Sequence, residues 1–267
     1  MTDATVSLPL PAIMSITRDD VLSALKSGLA DFQRAPKYGL FFGLVFSVVG
    51  IAITMALFRG DVSYWIFPFA AGFPVIGPFA AVGLYEVSRR LEAGEEVSWG
   101  PVLSAGFRHG NSQLPMYAVF AIMAFLAWLV LARVIFAVSF GTASMTNVMT
   151  SLDIFFTGPG LAMLFIGTIV GAALAVLMFS VSVIAVPLLL DQDIDVVTAM
   201  ITSLKTIVEN REAMVFWGVI VAAAIIVAML PLFLGMILVF PVLGHGSWHI
   251  YRKSIETSPA SKATSIK

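Results

Sequence analysis

The sequence predicts an all-α polytopic membrane protein: a bundle of about six transmembrane helices arranged as three hairpins, each preceded by an amphipathic interfacial helix. Composition is the first observation behind this. Of 267 residues, 59% are hydrophobic and 12% charged, and the mean hydropathy is +0.98, far above that of a soluble domain. The second is length: runs of about 20 apolar residues recur, each enough to cross a hydrocarbon core of roughly 30 Å as a helix. Helices are the only open elements that satisfy their own backbone there, and the alternation of a β-barrel is absent. The third is charge order, because Lys and Arg gather in alternate connections.

The edge between the two regimes falls in Gly72 to Glu96 (GFPVIGPFAAVGLYEVSRRLEAGEE), where an apolar run turns charged near Tyr85. Residues 1–17 are rich in Ser, Thr and Pro and are expected to be disordered, with no basic stretch that would mark a cleavable signal peptide. From Thr17, Asp19 or Asp20 can cap an amphipathic helix with Val21, Leu22, Leu25, Leu29 and Phe32 as its stripe, stopped by Pro36. The first membrane helix runs from about Tyr38 to Phe58. Its Gly39 and Gly43 share a small-residue face that permits close helix packing. The second runs from about Tyr64 to Ser88, with Trp65 and Tyr85 as interfacial anchors.

A polar stretch with a second amphipathic piece, Trp99 to Arg108, leads into a third helix, about Met116 to Val138. The fourth covers about Leu161 to Leu190 and holds Gly167 and Gly171, a second close-packing pair. A third amphipathic piece follows, with Val196, Val197, Met200, Ile201, Leu204 and Val208 as its stripe. Ala213 to Ile250 then carries no Asp, Glu, Lys or Arg. As one helix its 38 residues would be about 57 Å long, so it must break, and Pro231 is the expected place.

Lys26, Arg34 and Lys37, then Arg89, Arg90 and Arg108, then Lys205 and Arg211 precede successive hairpins. The positive-inside rule makes these cytoplasmic and puts both termini in the cytoplasm of an inner-membrane protein. The three units, about 18–90, 97–190 and 194–253, read as a threefold repeat within one membrane domain, with 254–267 a flexible tail.

Candidate chemistry is sparse. His245 and His249 lie four apart and could share a helix face for a metal or haem iron. Two imidazoles without a nearby carboxylate or thiolate make an incomplete site, so no cofactor is expected and an interfacial role is the simpler reading. Gly72, Pro74, Gly77 and Pro78 should kink or unwind the second helix, exposing backbone groups that can bind a solute or that neighbouring helices can satisfy. Glu86 and Arg90 can pair at the boundary, and Arg89 can meet lipid phosphate or Asp191, Asp193 or Asp195. Arg133 lies near the external end of the third helix and can snorkel, with Asp153 its nearest acid. No other charge falls inside a membrane segment, which weakens ion-coupled transport.

Zero cysteines exclude a disulfide framework or thiol chemistry. A net charge of −1 argues against nucleic acid, and no phosphate-binding loop or hydrolase motif appears. The expectation is a non-enzymatic protein whose partners are the bilayer and a membrane protein or further copies of itself, acting as an accessory, assembly or structural factor. A small transporter or channel for a neutral or lipidic solute is the alternative.

At GFPVIGPFAAVGLYEVSRRLEAGE, VPLLLDQDIDVVTAMITSLKTIVENREAMVFW and FPVLGHGSWHIYR the chain resembles a bacterial family of predicted integral membrane proteins of unknown function. The resemblance spans roughly Leu22 to Lys253 and implies no catalytic residues. Some members have been labelled putative cytochrome c oxidase subunit I. A haem-copper core needs about six intramembrane histidines; this chain has three in total, so that activity is not expected of it.

Overall fold

The computed structural model describes residues 11–59, 65–72, 77–107, 113–141 and 152–256. They form α1 (Arg18–Arg34), α2 (Pro36–Arg59), α3 (Ile66–Gly72), α4 (Gly77–Ala80), α5 (Val82–Ala93), α6 (Trp99–Ser104), α7 (Leu114–Phe140), α8 (Gly158–Ser182), α9 (Ala185–Asp191), α10 (Val196–Glu209), α11 (Arg211–Met229) and α12 (Met236–Ser254). A 3-10 turn, Leu152–Phe156, precedes α8. Among the described residues there is no strand, only an isolated bridge between Ile13 and Ile255.

Among the described residues, four helices are long and apolar enough to cross a membrane: Pro36–Arg59, Leu114–Phe140, Gly158–Asp191 and Arg211–Met229. The run expected to form the second membrane helix is instead divided into α3, α4 and α5. Its Pro74 lies outside the described residues, while Gly77 opens α4, and Ala81 joins α4 to α5 without a side-chain cap. The stretch expected as a sixth membrane helix becomes α12, which carries Pro241 inside it and the polar sequence HGSWHIYRKS at its end. The expected break at Pro231 is where α11 ends and the turn Leu230–Gly235 begins.

Prolines interrupt helices by removing an N–H and crowding the carbonyl four residues back, and the chain repairs these points with hydroxyls. Pro187 sits just after the bend between α8 and α9; there Ser203 accepts from the Ile184 N–H at 3.2 Å and donates to the Ser180 carbonyl at 2.7 Å. In the turn between α11 and α12, Leu232 and Phe233 adopt positive φ of 51° and 64°, a conformation rare outside glycine. Ser47 of α2 donates to the Phe233 carbonyl at 2.9 Å, and the Phe233 ring lies against Gly50.

The centre of the packing is α12, which runs antiparallel to α1 and α2. Asp20 pairs with Lys253, Gly28 abuts Gly246, and Gly43 abuts the Ile237 carbonyl, in descending order along α12. A Cβ built on Gly28 would lie 2.5 Å from the Gly246 nitrogen and 2.8 Å from its Cα, so only glycine allows this approach. The tip of the α11–α12 hairpin reaches Ser47 and Gly50, while α2 continues through residues 51–59. Leu230, Leu232 and Leu234 at that tip are exposed.

One expectation needs correction here. Residues 11–17 are not loose: Met14 N–H donates to the Ser254 carbonyl, Glu256 N–H to the Ala12 carbonyl, and Asn210 takes the Ile16 N–H at 2.7 Å while donating to the Met14 carbonyl at 3.1 Å. This edge ties the start of α1 to the end of α12. In α1 the apolar stripe divides: Val21 is buried with Ala24, Gly28 and Asp31, Leu25 is half-buried against the core, and Leu22 and Leu29 are exposed. In α10, Val196, Ala199, Thr202, Ser203 and Thr206 are buried and Met200 is half-buried, while Val197, Ile201, Leu204 and Val208 are exposed. Small residues take much of the inner face because they let backbones approach, and several large apolar side chains are left outward.

Replacing Gly28 by Val should lower unfolding free energy by about 1–3 kcal/mol through overpacking against backbone. Gly167→Ala, where nothing described lies within 4 Å of the added carbon, should be close to neutral. Thermal unfolding of both variants in mild detergent checks the contrast.

Candidate functional site

The third quoted motif, Phe240 to Arg252, supplies one wall of a polar cluster at the end of α12 and α5. Trp248 and Tyr251 are buried, not interfacial anchors. The Trp248 indole donates to Glu92 at 3.0 Å, the Tyr251 hydroxyl donates to Asp191 at 2.6 Å, and Arg252 reaches both acids at 3.0 and 3.4 Å. Asp191 ends α9 and Glu92 lies in the last turn of α5, so this contact clamps α5, α9 and α12 together.

On α5, Glu86 is 1% exposed and receives Arg89 Nε at 2.8 Å, Arg89 Nη2 at 3.0 Å and Arg90 Nε at 2.7 Å. Both arginines also approach Glu95, at 3.5 and 3.3 Å. Arg89 thus pairs with Glu86, one turn back, and with Glu95, while Asp191 acts on it only at longer range. The Glu86 bonds hold the Arg89 guanidinium's pKa above its ordinary value. Buried charge is tolerable only when so fully paired.

His245 and His249 share the α12 face as the spacing implies, yet different partners claim them. Ser88 hydrogen-bonds His245 Nδ1 at 2.8 Å, and His249 Nε2 meets Asp31 Oδ2 at 2.7 Å. His245 is fully buried with Nε2 unpartnered among the described residues. Among those residues no group of three or more His, Cys, Asp or Glu is placed to hold a metal ion. Burial raises the Asp31 pKa, but hydrogen bonds from His249 and Ser88 outweigh it and hold the carboxyl below its usual value. Asp31, Ser88 and Glu92 were missed by sequence reasoning. Asp31 was legible in one respect: it continues the buried series Val21, Ala24, Gly28 at helical spacing.

Beside this cluster opens a cavity of about 980 Å³, at the upper end of the volumes that small-molecule pockets occupy. It lies between the α7–α8 pair on one side and α4, α5, α11 and α12 on the other. Trp128 fixes its middle: the indole donates to the Pro68 carbonyl at 2.7 Å, and Gly171 of α8 accepts the ring, 2.9 Å from a built Cβ. Its lining is apolar, with Met178, Met214, Ile225, Met229 and Phe240 among the side chains. Tyr85, Ser182 and Ser247 line the end near the polar cluster, and Arg133, Phe136 and Phe155 the other.

The expected packing and helix-break residues divide around this space. Gly39 packs on Phe32 and Pro241, Gly43 on Ile237, and Gly72 on Trp128 and Phe125. Gly77, Pro78 and Gly167 line the cavity, with nothing described within 4 Å of a carbon built on Gly77 or Gly167. Gly167 therefore borders open space, unlike the close helix contact expected of it.

With four apolar helices of spanning length among the described residues and an apolar, half-open cavity between helices, the chain has the make-up of an integral membrane protein. Residues 66–191 match the family model "Predicted integral membrane protein (DUF2189)", a family of unknown function. The match takes in the first quoted motif and the start of the second, from α3 through α9. No curated protein and no solved structure matches the chain.

Removing one partner of a buried ion pair costs about 3–5 kcal/mol, and the part-exposed arginines reduce that; Glu86→Ala should therefore destabilise by about 2–4 kcal/mol in detergent unfolding. Asp31, with its pKa depressed in the folded state, contributes stability that is complete above about pH 4 and is lost as pH falls through its folded value. Asp31→Asn should remove that part of the acid-limb pH dependence while lowering stability at neutral pH, measured as unfolding midpoint against pH.

Proposed function

We propose that this protein is a non-enzymatic integral membrane protein that holds a lipid-like molecule in its intramembrane cavity, for storage or passage within the bilayer. The single observation that carries the reading is the cavity itself: about 980 Å³ of apolar space between helices of spanning length. Space of this kind is stable when apolar chains fill it, because unfilled volume in a packed interior forfeits contact energy.

Placement in the cytoplasmic membrane with both termini inside draws on the alternation of Lys and Arg between connections. The three-hairpin arrangement draws on α2 with α3–α5, α7 with α8–α9, and α11 with α12, preceded by α1, α6 and α10 respectively. In each preceding helix or its last turn, large apolar residues face outward: Leu22 and Leu29; Trp99, Leu103 and Phe107; Val197, Ile201 and Leu204. That pattern suits helices lying at the bilayer interface. We further infer that the α11–α12 hairpin enters the membrane and returns short of the far side, since its tip stops beside Ser47 and Gly50.

Mass spectrometry of the protein released gently from native membranes should find lipid in about stoichiometric amount. Replacing Ala172 and Ala222, which line the cavity, by Phe should reduce it severalfold without loss of folding. A stoichiometric membrane-protein partner with no retained lipid would support the accessory or assembly role and sink the lipid reading.

A further inference from the structure

Arg133 is the one charged side chain among the described residues that line the cavity. It is also the only charged residue of α7, which runs from Leu114 to Phe140, and α8 carries none. The sixteen residues from Tyr117 to Arg133 place it about 24 Å along the helix from the buried Tyr117 end. This is still within a hydrocarbon core of roughly 30 Å.

The Arg133 side chain is exposed toward the C-terminal end of α7, within snorkelling reach of head groups, and an arginine so placed is costly unless it meets an anion or water. Among the described residues no carboxylate lies within ion-pair distance of Arg133. Its guanidinium lies only over the Phe136 ring, 5.8 Å from the centroid. Asp153, the acid expected to answer it, forms no ion pair with it among the described residues. The cavity thus has a single cation at one end and an apolar length toward Met178 and Met214 at the other. Those two features match one kind of molecule, an amphiphile with an acidic head and a hydrocarbon tail.

We propose that the cavity's occupant is a phospholipid, its phosphate held by Arg133 and one acyl chain lying along Trp128 and Gly171 toward Met178. The guanidinium fork matches phosphate bidentately, and the bilayer supplies the ligand at high local concentration. This inference rests on the cavity reading above and adds the chemistry of the head group.

The test loads delipidated full-length protein from vesicles of equal parts phosphatidylglycerol and diacylglycerol and counts each lipid by mass spectrometry after purification. Wild type should retain phosphatidylglycerol over diacylglycerol. Arg133→Gln should lose phosphatidylglycerol about ten- to hundredfold, the range for one charge-assisted hydrogen-bonded contact, while keeping diacylglycerol. Arg133→Lys, which preserves the charge, should keep more phosphatidylglycerol than Arg133→Gln. Diacylglycerol preferred by wild type, or phosphatidylglycerol retention unchanged in Arg133→Gln, overturns the head-group inference and leaves the cavity reading standing. No lipid of either kind in wild type overturns both. Should Arg133→Gln not fold, the wild-type preference between the two lipids and the Arg133→Lys result still decide.

Discussion

The architecture depends on how closely α12 can lie against α1 and α2. Gly28 against Gly246 and Gly43 against the Ile237 carbonyl bring backbones into contact that any side chain would prevent. In a membrane, where the hydrophobic effect does not drive helix association, such close dispersion contact is a main source of it. The consequence reaches across the molecule. Because α12 turns this face to α1 and α2, and Gly244 to Leu84 of α5, little of it is left for α7 and α8. The α11–α12 hairpin meets that pair mainly where Phe179 passes Gly218. The cavity is the space this division leaves.

Polar groups follow the same logic of closure. Three stretches of non-helical backbone near apolar surroundings meet a hydroxyl or amide from another element: Ser203 at the bend before Pro187, Ser47 at the Phe233 carbonyl, Asn210 at residues 14 and 16. The charges gather at one end, where Glu86, Asp31, Asp191 and Glu92 each meet basic, imidazole or hydroxyl partners from other turns or helices. Arg133 stands apart from this economy, a cation with no acid beside it among the described residues, at the cavity's far end. That contrast gives the cavity a polarity.

The helical class and the break at Pro231 were legible because they depend on local composition and on proline's missing donor. Which residues of α1 pack inward was not: Ala24 and Gly28 take the interior beside Val21, while Leu22 and Leu29 are exposed. Gly167, whose spacing from Gly171 suggested a helix contact, borders open space instead. His245 and His249 were correctly placed on one face, and their partners Ser88 and Asp31 lie 157 and 218 residues away, beyond reach of any spacing argument. The cavity itself could not be read from the chain, since it arises from how α7 and α8 pack away from α11 and α12.

The most direct measurement is an experimental density map of the protein in nanodiscs made from native lipid. The account predicts α12 packed on α1 and α2 through Gly28 and Gly43, with elongated density between α7–α8 and α11–α12 running from Arg133 past Trp128. A map in which Met214 and Phe240 close directly onto α8, leaving neither space nor density, would contradict it.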